Sequence, residues 1–125
     1  MKKIILTPKA PAAIGPYSQA VVYGNTVYCS GQLPLNPETM EIVGETAAEQ
    51  TKQVLENLKA VLEAAGSTLE KVLKCTIFVK DLNDFASINE VYGSYFPENP
   101  PARATVEVSR LPKDALVEIE CVAHL

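Results

Sequence analysis

The chain of 125 residues carries 11 basic and 15 acidic side chains, giving a formal net charge of −4 at pH 7. This length predicts one domain, 1–125, that buries about two thirds of its unfolded surface in a single core, and 47% hydrophobic residues are typical of a globular protein. A pI near 5.0 argues against binding to nucleic-acid phosphates, which mainly requires cationic side chains.

The cysteines and the N-terminal residues indicate the cellular compartment of the protein. Cys29, Cys75 and Cys121 fall in predicted strands, and an odd number without CxxC or histidine spacing predicts neither a disulfide framework nor a zinc site. They are expected to be small buried side chains in a reducing environment. The apolar run near the N-terminus has only three residues, 4–6, far fewer than the hydrophobic region of a signal peptide. No apolar run in the chain is long enough to span a membrane. We therefore expect a cytoplasmic protein.

The first third of the chain predicts a short strand, a loop and a hairpin. A strand at about 4–6 precedes a loop, 10–18, whose prolines and Gly15 exclude a helix. This loop ends near Tyr17, which either presents its phenol to a cavity or packs against the sheet. Strands 20–23 and 26–30 flank a turn at Gly24, and Ser30-Gly31 at the strand end could offer a hydroxyl and a backbone N–H to a carbonyl or oxyanion.

Two helices and a strand follow a loop at 33–45. Thr46 and Glu49 form a capping box, apolar residues recur at helical spacing, and Gly66 supplies a stop, so a helix is predicted over about 47–65. Alternating residues predict a half-buried strand at 73–80, with Leu73 among its inward side chains. A second helix is predicted from about Asp84 to Phe96, on which Asn89 is either solvated or part of a site.

The final third predicts two strands, 103–108 and 116–123. Pro100 and Pro101 make the chain rigid just before Arg103, whose planar guanidinium suits a carboxylate or phosphate, although a surface salt bridge is the simpler interpretation. Pairing these strands with their apolar residues on one side places residue 103 near 120 and residue 105 near 118. Arg103 and Glu118 would then share the opposite face.

The order of elements predicts an α+β fold with one sheet and two helices on one of its faces. The other face is expected to be wet or to meet another subunit. An arginine and carboxylates in a cleft there could form a structural ion-pair network, or a carboxylate-binding cation beside a general base. Spacing alone leaves both possibilities open.

Five motifs together resemble the Rid (YjgF) family of imine deaminases, nearly end to end. The matching segments are Ala13–Ala20, Ser30–Pro34, Phe78–Phe85, Pro101–Arg103 and Val117–Glu120. This resemblance implies chorismate-mutase-like subunits with a mixed sheet, assembled as a barrel-like homotrimer with three active sites between neighbours. It also implies hydrolysis of 2-imino acids, such as 2-iminobutanoate and 2-iminopropanoate, to 2-keto acids and ammonia.

The resemblance also implies a role for each site residue. Arg103 would bind the substrate carboxylate, and Glu118 with the backbone carbonyl of Thr105 would place the attacking water. The remaining pocket residues would be Tyr17, Ser30, Gly31 through its N–H, and Asn89. An iminium carbon is already electrophilic, so no metal or other cofactor is expected. Many bacterial relatives carry cysteine where this chain has Thr105, which puts thiol chemistry in doubt but not the role of the carbonyl.

Two other functions stay open at this point. Some relatives are described as endoribonucleases or translation inhibitors, but the acidic pI and the single histidine, His124, argue against RNA cleavage. A chaperone-like or regulatory binding protein is the third possibility, and it would not need Arg103 and Glu118 in one cleft.

Overall fold

The structure is a computed structural model that describes all residues, 1–125, and contains six strands and two α-helices. The strands are β1 (Lys3–Ile5), β2 (Ala20–Tyr23), β3 (Thr26–Gln32), β4 (Val72–Val79), β5 (Ala102–Glu107) and β6 (Val117–His124), and the helices are α1 (Ala47–Ala64) and α2 (Phe85–Tyr95). The strands form one mixed sheet in the order β1-β2-β3-β6-β4-β5. The predicted α+β class and the chain order of the elements are confirmed. Neither helix is both long enough and apolar enough to cross a membrane.

Local signals determine both ends of α1. The Thr46 hydroxyl accepts a hydrogen bond from the Glu49 backbone N–H at 3.2 Å, and the Glu49 carboxylate accepts one from the Thr46 N–H at 3.1 Å. At the other end Gly66 has φ +88°, and the N–H of Ser67 donates to the Leu62 carbonyl at 2.8 Å, as in a Schellman motif. The predicted helix is confirmed to within one residue.

One face of the sheet is covered and the other is open. A single cluster of buried apolar side chains joins α1 and α2 to the covered face, and it includes Val54, Ile88 and Ile119. The open face carries Tyr28 and Val106, which are exposed, and Phe78, which is half-buried. The prediction that two helices leave one face uncovered is therefore confirmed.

The predicted pairing of the last two strands is wrong. β5 is an edge strand that pairs in parallel with β4, whereas β6 lies between β3 and β4 and is antiparallel to both. The inward residues of β6, from Val117 to Ala123, are almost fully buried, as a central strand requires, while β5 is largely exposed. Helix α2 provides the crossover that the parallel β4–β5 pair needs.

This pairing reverses the predicted faces of β5. Arg103 lies opposite Cys75, which in turn lies opposite Cys121, so all three belong to the face covered by the helices. Phe78 lies opposite both Val106 and Glu118, which places Glu118 on the open face. Arg103 and Glu118 therefore occupy opposite faces of the sheet, and the prediction that they share one is wrong.

Two irregularities in the ladder also differ from the predictions. The register of β4 shifts between Val72 and Lys74, so Leu73 is 52% exposed instead of facing the core. The register of β3 shifts between Cys29 and Gln32, and Ser30 and Gly31 lie in this bulge, whereas the prediction ended the strand at Ser30. A bulge of this kind re-aims the side chains beside it. The three cysteines are free and buried, as predicted.

Candidate active site

The sequence-predicted site residues fall into two groups on opposite faces of the sheet. The first, here called the arginine group, consists of Arg103 with three side chains of α2, namely Phe85, Asn89 and Tyr92. The second, here called the carboxylate group, consists of Glu118, Ser30 and Gly31 on the open face, together with the segment 17–19. Thr105 lies on β5 beside the arginine group.

In the arginine group, α2 positions three side chains around one guanidinium. Phe85, Asn89 and Tyr92 are spaced four and three residues apart, which places them on one face of the helix. The Arg103 Nη1 donates a hydrogen bond to the Asn89 Oδ1 at 2.7 Å. The Arg103 Cζ lies 5.4 Å from the Phe85 ring centroid and 5.0 Å from that of Tyr92, within the range of cation–π attraction.

None of these contacts neutralises the charge of Arg103. The one salt bridge in the chain joins Arg110 to Asp114 at the surface, so neither the predicted surface salt bridge of Arg103 nor a network with Glu118 is present. Asn89 engages Nη1, which leaves the edge formed by Nε and Nη2, the edge that pairs side-on with a carboxylate. The guanidinium is thus oriented by neutral partners while its charge remains available to an anion.

A cleft lies beside this guanidinium. It has a volume of about 360 Å³, and its lining includes Asn89, Tyr92, Arg103, Pro100 and Pro101. This volume suits a small metabolite. A depression of about 570 Å³ lies around residues 94–99, but none of the predicted site residues lines it. The smaller cleft is therefore the candidate site.

Thr105 presents its backbone to the free edge of the sheet. The Val108 N–H donates to the Val79 carbonyl at 2.9 Å, so even-numbered residues of β5 direct their backbone groups toward β4. Backbone direction alternates along a strand, and the carbonyl of Thr105 therefore points away from β4 at the open edge. The Thr105 side-chain hydroxyl is buried and has no hydrogen-bonding partner.

In the carboxylate group, Glu118 lies directly over Gly31. A Cβ built on Gly31 would lie 2.5 Å from the Glu118 Oε2, so only glycine allows the carboxylate this position. Burial raises the pKa of the Glu118 carboxyl, and the neighbouring Glu120 carboxylate raises it further. A carboxylate with a raised pKa is a stronger base, which suits proton abstraction from water.

The segment 17–19 is fixed beside this carboxylate by Ser30. The Ser30 hydroxyl donates to the Ser18 carbonyl at 2.6 Å, and its backbone N–H donates to the Gln19 carbonyl at 3.0 Å. The hydroxyl proton of Ser30 is therefore engaged within the chain, and its oxygen remains available as an acceptor. Tyr17 is 53% exposed, so its phenol is not packed into the core of the chain.

Sequence reasoning missed the polar support of these segments and the aromatic contacts of Arg103. Gln19 is 1% exposed, and its amide bonds to the backbone of Thr7, Ala10 and Pro11, which fixes the N-terminal loop. Phe85 lies four residues before Asn89 in the sequence, and Tyr92 lies three residues after it. Their spacing relative to Asn89 was the available signal that all three meet one partner.

Known proteins are similar to this chain over nearly its whole length. The family described as endoribonuclease L-PSP matches residues 7–125. A RutC family protein of Pyrococcus abyssi is 58% identical over 123 residues, which cover 98% of this chain and 97% of the relative. A 2-iminobutanoate/2-iminopropanoate deaminase of Escherichia coli is 52% identical over 126 residues, covering 98% of each chain. The solved structure of E. coli TdcF with bound serine is 48% identical, covers 98% of each chain and superposes with a TM-score of 0.94.

Proposed function

This chain belongs to the endoribonuclease L-PSP family, also known as the YjgF or Rid family, and from that premise we propose that it is a 2-imino acid deaminase. The substrates would be small 2-imino acids such as 2-iminobutanoate and 2-iminopropanoate, and the products 2-keto acids and ammonia. The observation that carries this proposal is the guanidinium of Arg103, which is held by neutral partners and keeps a free edge beside a small cleft.

A complete site would need two copies of the chain. Arg103 and Glu118 are separated by the sheet in one copy, and the open face carries apolar side chains that another copy would cover. We propose a homotrimer in which the arginine group of one subunit meets the carboxylate group of the next. This arrangement gives three equivalent sites, since each subunit contributes one group to each of two neighbours.

The two groups would divide the reaction between them. Arg103 pairs with the substrate carboxylate and fixes the imine carbon near the water bound by Glu118 and the Thr105 carbonyl. Glu118 accepts a proton as the water oxygen bonds to the iminium carbon, which gives a carbinolamine. Glu118 returns this proton to the nitrogen, and the C–N bond breaks as the C=O bond of the keto acid forms. The hydroxyl proton of the carbinolamine leaves with the departing ammonia as ammonium. Orientation and one base are sufficient because the iminium carbon is already electrophilic.

The direct test is keto-acid formation from an imine generated in situ by an amino-acid oxidase. The wild-type protein should accelerate the release of 2-ketobutanoate and ammonia above the uncatalysed rate. Arg103→Lys keeps the charge but loses the planar fork, so kcat/KM should fall by roughly ten- to a hundredfold. Arg110→Lys is the matched control, because Arg110 lies in an exposed salt bridge away from the cleft. If the wild-type protein does not accelerate this release, the proposed activity is refuted.

The shared site has its own test by subunit mixing. Arg103→Lys and Glu118→Gln trimers, each of low activity, would be dissociated, mixed in equal amounts and reassembled. If each site takes these residues from different subunits, about a quarter of the sites regain both native residues. If one subunit supplied both, no site would recover. Light scattering should give three times 13.5 kDa for every sample, and a stable monomer would refute the assembly.

Endoribonuclease activity is the second candidate, and the description of the matching family is the observation that favours it. The net charge of −4 weighs against a groove for RNA. An RNA degradation assay on the purified protein, with Arg103→Lys beside it, distinguishes the two candidates. Cleavage by the wild-type protein that the variant loses would favour the ribonuclease over the deaminase.

A further inference from the structure

We propose that Phe85 and Tyr92 are positioning residues that hold the Arg103 guanidinium between two ring faces, so that its free edge is presented to the substrate carboxylate. The proposal rests on the proposed function, because it assigns these rings to the carboxylate-binding arginine of that site. The two rings and Asn89 are here called the arginine clamp.

The clamp follows from the geometry of α2 against the start of β5. Both ring centroids lie within 6 Å of the Arg103 Cζ, and the Asn89 Oδ1 binds one end of the same guanidinium. Three contacts from one helix face restrict a long side chain that would otherwise adopt many rotamers. Tyr92 is itself fixed, since it is buried and packs against Phe96 with their ring centroids 4.7 Å apart.

Aromatic rings orient the guanidinium without using the groups that the ligand needs. A carboxylate partner within the chain would neutralise the charge and occupy the donor edge, whereas a ring face attracts the cation and accepts no hydrogen bond from that edge. Arg103 has no such carboxylate partner, and its Nε and Nη2 have no hydrogen-bonding partner in the chain. An arginine held in this way loses less freedom when it binds an anion.

The Tyr92 hydroxyl does not account for the presence of an aromatic residue at this position. It is buried without a hydrogen-bonding partner of suitable geometry, although the Cys75 thiol lies close enough to contribute to the raised pKa of the phenol, which is due mainly to burial. A phenol that stays protonated and makes no hydrogen bond contributes through its ring. A ring without the hydroxyl should therefore serve the clamp as well.

The test compares Tyr92→Leu, Phe85→Leu and Tyr92→Phe, with Tyr95→Leu as the control. Tyr95 lies on the same helix but bonds to Glu56 instead of contacting Arg103. Each trimeric variant is characterised by the Kd of 2-ketobutanoate, by KM and kcat, and by the ¹⁵N order parameter of the Arg103 Nε in the free protein.

Removing either ring should raise Kd and KM about three- to tenfold with kcat changed less than about twofold, as expected for the loss of one cation–π contact. The Arg103 Nε should become more mobile in both leucine variants. Tyr92→Phe should restore the affinity and the order parameter, and Tyr95→Leu should alter neither.

Wild-type affinity and order at Arg103 in Phe85→Leu or Tyr92→Leu would overturn the clamp. A large loss of kcat in Tyr92→Phe would also overturn it, because the hydroxyl would then act in the chemistry. Phe85 is 37% exposed, so its variant keeps the test decisive if Tyr92→Leu fails to fold. If the wild-type protein neither deaminates imines nor binds the keto acid, the proposed function fails, and the order parameter alone still decides whether the rings hold the guanidinium.

Discussion

Replacing Gly31 by alanine tests whether the position of the Glu118 carboxylate matters to catalysis. The backbone of Gly31 is not in the left-handed region, so alanine introduces no backbone strain there. Its Cβ would lie 2.5 Å from the Glu118 Oε2, 3.0 Å from the Cδ and 3.2 Å from the Cγ. The perturbation is therefore a local steric push on one side chain.

The size of the displacement follows from these distances. An ordinary C–H···O contact is about 3.3 Å long, so the Oε2 must move by about 0.8 Å. The Glu118 side chain is flexible and half-buried, and it can move at small cost to the fold. A displacement of about 1 Å in a catalytic group can cost about a hundredfold in rate. We expect the free energy of unfolding of Gly31→Ala to lie within about 1 kcal/mol of the wild-type value, and its kcat to fall by roughly ten- to a hundredfold.

The assay is imine hydrolysis on a double-mutant cycle that combines Gly31→Ala with Glu118→Gln. If alanine acts by moving the carboxylate, it should cost little further activity once that carboxylate is removed, and the two effects should be strongly non-additive. Two outcomes would refute the reasoning. One is wild-type kcat in Gly31→Ala, and the other is full additivity, which would mean that Gly31 acts independently of Glu118.

Three further variants test the site and the fold. Glu118→Gln should be more stable than the wild-type protein at neutral pH. The pKa of the Glu118 carboxyl is raised in the folded state, so the stability of the wild-type protein falls as pH rises above the ordinary carboxyl value of 4.5. Denaturant titrations should show that the difference in stability disappears below that pH. Thr105→Val should raise the free energy of unfolding by about 1 kcal/mol, because it removes a buried hydroxyl that has no hydrogen-bonding partner. Its kcat/KM should stay within about tenfold of the wild-type value, and a hundredfold loss would give the hydroxyl a role in catalysis. Gly93→Ala should raise the stability by up to about 1 kcal/mol, since this glycine lies within α2 and its Cβ would meet open space; an unchanged or lower Tm would contradict this.

The sequence predicted best those elements whose signals are local. The capping box at Thr46 and the glycine at 66 delimit α1 through contacts within a few residues, and the structure confirms both ends. The hairpin turn at Gly24 has φ +60°, as a primed turn requires at its first central residue. Each of these features depends on neighbours in the chain, so the pattern alone was sufficient.

The pairing of β5 failed because strand order is a long-range property. Alternation in 103–108 fits burial of either set of residues, and a hairpin with β6 was the shortest connection. The structure instead places the strand with Arg103, Thr105 and Glu107 on one face at the sheet edge, where such side chains reach solvent or a ligand. A central position would have required their charges to be buried without partners. The bulges near Leu73 and Gly31 escaped prediction for a related reason, since they depend on the register of neighbouring strands.

The corrected strand order changes what a single chain can do. The sequence identified residues able to bind a carboxylate and to activate water, but one copy of the fold holds them on opposite faces of a sheet. Each copy prepares its own group, since three contacts from α2 orient Arg103 and the absence of a side chain at Gly31 leaves room for the Glu118 carboxylate. Association of copies would therefore bring an arginine that is already oriented to a carboxylate that has space over Gly31, and part of the cost of orienting the reactants would be met by folding and assembly. On this account catalytic activity should follow the fraction of assembled protein, since a dissociated subunit retains both groups but has no complete site.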